Sequence, residues 1–206
     1  MALLRCYRVP YSTNVERVSL ALAHKCLAVE WVDIDPADRT EVDRVSGQSL
    51  VPVLVDGDRV VSDSTEILRY LEELKPEPRL FPADPARRAE LEVFLEWFNR
   101  VWKRPPNEIE ALRGKPHPDE QLIGALGREL TGALDLFERL LDGREYLYGE
   151  FSAADCAAFP FLKYALDDNA DDDESFHAIL REFQPLGESH SHLAAWIARV
   201  DERPRA

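Results

Sequence analysis

Two short polar clusters offer chemistry by residue type and place. Tyr11-Ser12-Thr13-Asn14 and Ser62-Asp63-Ser64 each stand before a run of apolar residues at helical spacing, which makes both of them helix starts. A helix start presents unbonded N–H groups and a partial positive charge, so it favours an anion. A hydroxyl there can cap the helix or donate to that anion. At Ser64 the hydroxyl and neighbouring N–H groups likewise suit an anion. At the first cluster Ser12, Thr13 and Asn14 compete for the same two jobs of capping and donating.

Other reactive types lead less far. The chain has three cysteines, Cys6, Cys26 and Cys156, with no C-x-x-C pair and no metal-ligand spacing. Such a sparse set reads as reduced thiols in the cytoplasm. Cys6 lies within a strand pattern and reads as a buried, inert thiol. The acidic run Asp167-Asp168-Asn169-Ala170-Asp171-Asp172-Asp173 fails the calcium-loop template, which needs Gly sixth and Glu twelfth where this chain has Asp172 and Ala178. It reads as a solvated loop. His190-Ser191-His192 lacks a third ligand, so no metal is expected.

The positioning elements follow from periodicity. Residues 2–9 read as a strand, and Val15, Val18, Leu22 and Leu27 mark a helix ending near Cys26. Val29 to Asp35 is a second strand, and residues 36–46 form a short or irregular helix. Val51 to Val55 is a third strand opened by Pro52. Asp56-Gly57 turns it into a hairpin with residues 59–61. Ile67, Leu68, Leu71 and Leu74 define the next helix. Residues 75–86 contain four prolines, which forbids a continuous helix. Everything beyond is helical in period, over 86–103, 118–141, 153–166, 174–183 and 190–202. Ser152-Ala153-Ala154-Asp155 matches a capping box, with Phe151 and Cys156 as its staple pair.

Composition sets the outer limits. The chain has 206 residues, 45% hydrophobic and 31% charged, with a net charge of −14. That is globular usage with ample material for a core. The negative field argues against nucleic acid as a partner. No window approaches the ~18 apolar residues of a membrane span, and no secretory signal pattern opens the chain.

The order of elements, the proline opening the third strand and the helical second half resemble the cytosolic glutathione S-transferase superfamily. The carrying residues are Ser12-Thr13-Asn14-Val15-Glu16-Arg17-Val18, Leu50-Val51-Pro52-Val53-Leu54, Asp63-Ser64-Thr65-Glu66-Ile67 and Phe151-Ser152-Ala153-Ala154-Asp155. The likeness points to the serine-type, tau/zeta/theta-like bacterial members. It implies a thioredoxin-like domain over 1–76, of order β-α-β-α-β-β-α with a mixed four-stranded sheet. A linker over 77–86 and an all-helical domain over 87–206 complete the chain. It also implies a homodimer with glutathione as co-substrate and a small hydrophobic electrophile as acceptor.

The resemblance assigns roles residue by residue. In serine-type members the catalytic serine lies five residues before an Arg-Val pair; Arg17-Val18 puts it at Ser12, donating to the glutathione sulfur. Tyr11 and Tyr7 are rivals, since other classes use a tyrosine. Leu50, Val51, Pro52, Asp63 and Ser64 form the glutathione site. The Val51-Pro52 bond is expected to be cis, offering the Val51 backbone to the cysteinyl unit as an added strand would. Ser64 and the helix start take the γ-glutamyl carboxylate, and Asp63 its ammonium. Of Phe94, Trp97, Phe98 and Trp102, one or two are expected in the acceptor pocket.

Two departures stand out. Thr13-Asn14 replaces the usual pair after the serine. Leu50 replaces a Lys, Arg or Gln, leaving the glycyl carboxylate one partner short unless Gln48, Arg44 or Arg39 reaches it. These keep open a glutathione-dependent isomerase or dehalogenase, and a non-catalytic interaction module.

Overall fold

The computed structural model describes residues 3–167, 169 and 171–206. They form two compact units, one of residues up to 88 with 203–206 and one of residues 89–202. Ala2 of the expected first strand, and Asp168 and Ala170 of the acidic run, lie outside the described residues.

The first unit runs β1 (Leu4–Arg8), α1 (Thr13–His24), β2 (Val29–Asp33), α2 (Thr40–Ser46), β3 (Val53–Asp56), β4 (Arg59–Ser62) and α3 (Ser64–Leu74). The sheet order is β2-β1-β3-β4, with β1 parallel to β2 and the other pairs antiparallel. Successive side chains along a strand point to opposite faces. Tyr7, Val9 and Val53 share one face, buried with Ile34 and with Val42 of α2. Cys6 and Leu54 fall on the other, and both are fully buried. The α1 and α3 helices pack on each other, and each buries an apolar stripe that includes Val18 and Leu22 in α1 and Ile67 and Leu71 in α3.

A buried ion pair completes this unit. Lys25, fully buried at the end of α1, donates through Nζ to Glu72 of α3, to the Lys75 carbonyl at 2.7 Å and to the Pro76 carbonyl at 3.3 Å. Glu72 also accepts the Leu80 N–H at 2.9 Å. The start of the proline-rich segment is thereby held against α1 and α3. Residues 203–206 return to the same unit, where the Ala206 carbonyl accepts from Ser19 at 3.1 Å and Trp31 Nε1 at 3.0 Å.

The second unit departs from the expected helices in two places. The expected helix over 86–103 is α4 (Pro85–Trp97) followed by a π-helical turn, Phe98–Trp102. A further helix, α5 (Arg104–Arg113), follows where none was expected. Its Pro105 and Pro106 look like breakers, but the first helical turn needs no N–H donors. Their rings would crowd the carbonyls of Val101 and Trp102 in a regular helix. The wide turn lies at those carbonyls, with Lys103 N–H reaching back to Phe98.

The second departure splits the expected 118–141 helix into α6 (Glu120–Gly132) and α7 (Leu134–Leu140). Thr131 Oγ1 bonds the Gly127 carbonyl four residues back at 3.0 Å, a contact that bends helices, and Gly132 adds backbone freedom. Then come α8 (Ala153–Leu162), a 3₁₀ turn (Lys163–Ala165), α9 (Ser175–Phe183) and α10 (Ser191–Asp201). The capping box at Ser152 forms. Fully buried Asp155 accepts the N–H groups of Ser152 at 2.9 Å and Leu147 at 3.0 Å, and Trp196 Nε1 at 2.8 Å. Asp172 is not the solvated acid expected of its loop. It takes bonds from Arg181 at 3.0 Å and from His177 Nδ1 at 2.8 Å.

Candidate active site

Ser12 is the N-cap of α1. Its extended backbone (φ −67°, ψ 116°) turns Oγ onto the Val15 N–H at 3.3 Å. The oxygen accepts in that bond, so the hydroxyl proton is left to donate elsewhere. Ser12 is partly exposed, whereas Thr13 is buried as the first helical residue. Tyr7 is buried in the apolar cluster with Val9, Ile34, Val42 and Val53. Tyr11 is 74% exposed and adopts φ 65°, a left-handed conformation that steers the chain into α1.

Cys6 is inert for a separate reason. Burial pushes its thiol up to about 12, with the Arg8 charge opposing. A thiol that stays protonated at neutral pH is a poor nucleophile.

The Val51–Pro52 peptide bond is cis, as the sequence resemblance implies. The β3–β4 ladder starts at Val53–Ser62, so the Val51 backbone stands outside it. The residues before it are built differently from a charged ligand contact. Leu50 is 74% exposed. The Gln48 side chain folds onto Leu50, donating to its carbonyl at 2.8 Å and accepting its N–H, with a further bond to Ser46 Oγ at 3.1 Å. Arg39 Nε bonds the Pro36 carbonyl at 3.1 Å. Arg44 is exposed on α2.

At the start of α3, Asp63 has φ 74°, a conformation costly for a residue with a Cβ. It caps the helix by accepting from the Thr65 N–H at 2.8 Å and the Glu66 N–H at 3.2 Å, both through Oδ1. The expected row of free N–H groups is therefore smaller than helix physics alone suggests. Asp63 uses two of them, and a carboxylate would meet chiefly the Ser64 N–H and hydroxyl. Both capping bonds use Oδ1, and Asp63 is an exposed residue.

Arg17 is the residue that sequence reasoning passed over, having used it only to place Ser12. It is 1% exposed, and its Nη1 donates to Ser64 Oγ at 3.3 Å. The guanidinium thus lies behind the start of α3 and adds positive charge where the helix dipole already favours an anion. With its oxygen occupied by Arg17, the Ser64 hydroxyl points its own proton to another acceptor. The available signal was an arginine one position before the buried Val18 and two after the buried Val15, on the side of α1 that enters the core.

In the second unit, Phe98 is fully buried, and Phe94 and Trp102 nearly so. Trp97 is the aromatic of α4 that reaches the surface, where it lines an open apolar groove with Val93 and Val101.

Comparison with known proteins identifies the family and the fold. Residues 7–79 match the model of the glutathione S-transferase N-terminal domain, and residues 120–199 that of its C-terminal domain. Glutathione S-transferase F10 of Arabidopsis thaliana is 28% identical over 213 residues, covering 94% of this chain and 90% of that protein. Glutathione S-transferase 3 of Zea mays is 32% identical over 182 residues, covering 80% of each. Among solved structures, the tau-class glutathione S-transferase of mango, Mangifera indica, superimposes with a TM-score of 0.79 at 20% identity. It covers 98% of this chain and 89% of that one. Two matched domain models and a thioredoxin-like sheet followed by helices make the chain a member of the glutathione S-transferase superfamily.

Proposed function

We propose that this protein conjugates glutathione to a small apolar electrophile, with Ser12 stabilising the thiolate. The observation that carries the reading is the Ser12 hydroxyl, whose oxygen caps α1 through Val15 and whose proton remains free to donate. A free thiol has a pKa of ~8.5, so only a few per cent is thiolate at neutral pH. One charge-assisted hydrogen bond of about 1.5–3 kcal/mol lowers that value by about one to two units. The dipole of α1 acts in the same direction.

Glutathione's cysteinyl unit pairs with the Val51 backbone beside Leu50 and cis Pro52. Its γ-glutamyl carboxylate takes the Ser64 N–H and hydroxyl, and its ammonium takes the other carboxylate oxygen of Asp63. The thiol proton leaves to solvent and a carbon–sulfur bond forms at the electrophile. With an aryl halide the halide departs with the bonding pair. The protein supplies proximity, desolvation and the lowered thiol pKa, with no covalent enzyme intermediate. The helical unit over 89–202 binds the apolar part of the electrophile, and the working unit is a homodimer. Three free cysteines suit a reducing compartment, the cytoplasm.

Calorimetric titration with glutathione tests the thiol site. A dissociation constant at or below about 1 mM, worth about 4 kcal/mol or more, is expected. Incubation with an aryl halide should then consume glutathione in proportion to product. Regeneration of free glutathione would instead point to isomerase or dehalogenase chemistry, and absence of binding heat would leave an interaction module.

A further inference from the structure

We propose that this site recognises the γ-glutamyl-cysteinyl part of its thiol and ignores the charge at the third residue. γ-Glutamylcysteine and glycyl-blocked glutathione would then be co-substrates of about equal standing, with Leu50 as the specificity-determining residue. The inference rests on the glutathione reading above and goes further by naming the thiol class.

The register sets the geometry. Val53 pairs with Ser62 across the hairpin, and Asp63 and Ser64 continue from Ser62 back along β3 toward Val51. A peptide thiol that adds to Val51 as an antiparallel strand, with its γ-glutamyl end at Asp63 and Ser64, runs its carboxyl end past Leu50. Among the described residues leading into β3, the segment beside Leu50 presents no side chain that carries a positive charge at positions 45–50. Leu50 is apolar and 74% exposed. Ser49 beside it is exposed but offers only a neutral hydroxyl, and the Gln48 amide has both ends engaged by Leu50 and Ser46. Arg39 is bonded to Pro36.

Arg44 does not correct this. It belongs to α2, whose Val42 and Val45 face the core, and its neighbours oppose it. Over residues 35–46, Asp35, Asp38, Glu41 and Asp43 outnumber Arg39 and Arg44. A glycyl carboxylate at this place therefore keeps its water and contributes little selectivity. A γ-glutamyl-cysteinyl dipeptide, by contrast, retains both backbone bonds to Val51 and the whole γ-glutamyl contact.

The test is calorimetry on the full chain at neutral pH with glutathione, its glycyl monoethyl ester and γ-glutamylcysteine. The dissociation constants are expected to agree within about fivefold, less than 1 kcal/mol. A glutathione preference of fivefold or more over both analogues would overturn the inference while leaving the thiol site standing. Failure of all three to bind would overturn both readings together. Leu50→Lys, a change at an exposed position, is expected to tighten glutathione by about fivefold or more and to leave the ester unchanged. Unaltered glutathione affinity in that variant would remove Leu50 as the determinant.

Discussion

The buried Arg17 guanidinium donates to Ser64 Oγ at 3.3 Å, so the helix capped by Ser12 is tied to the helix capped by Asp63. The two ends of the proposed thiol site thus share one hydrogen bond, with a positive charge behind the carboxylate position.

Arg17→Ala is therefore expected to weaken glutathione binding by about tenfold or more, since a bond to a charged group contributes about 1.5 kcal/mol at the low end. Arg17→Lys should restore it only partly, because an ammonium lacks the guanidinium's planar fork. Calorimetry on both variants, with urea unfolding as a check of the fold, measures this. Wild-type affinity in Arg17→Ala would show that Arg17 is only a packing residue.

The cysteines give a second expectation. Cys6 and Cys156 are buried and Cys26 is exposed, and burial raises the Cys6 thiol to about 12. An acid whose folded pKa is raised stays protonated until the pH reaches that raised value, so Cys6 remains a thiol throughout the neutral and mildly alkaline range. A colorimetric thiol titration of the native protein should find one reactive group per chain, Cys26, and three after denaturation. Rapid modification of Cys6 in the native protein would show that its strand opens.

The legible parts of this chain were those set by local pattern. Ser12 and the α3 start stood out because capping residues precede apolar stripes, and the hairpin because Asp56-Gly57 joins two β-rich runs. What stayed hidden depended on tertiary geometry. The positive φ of Asp63 turns its carboxylate onto the Thr65 and Glu66 N–H groups, and no spacing rule reports that. Arg17 read as a register mark because its Ser64 partner lies 47 residues away. α5 opens on Pro105 and Pro106, which break helices in general and are harmless at a first turn.

Lys25 and Glu72 supply a test of the first unit's stability. Removing one member of a buried ion pair leaves the other charged and unsatisfied, at a cost of about 3–5 kcal/mol. Lys25→Met should lower stability by that amount in urea. The double variant Lys25→Met/Glu72→Leu should recover much of the loss, as coupled neighbours do. Strict additivity of the two single changes would mean the pair is not coupled.

The most direct measurement is the pH dependence of turnover at saturating glutathione for wild type and Ser12→Ala, with an aryl halide as acceptor. The wild-type profile should rise with an apparent pKa about one to two units below the free thiol's ~8.5. In Ser12→Ala it should return toward ~8.5, with a rate about tenfold or more lower at neutral pH. Identical profiles for the two proteins would contradict the role given to Ser12.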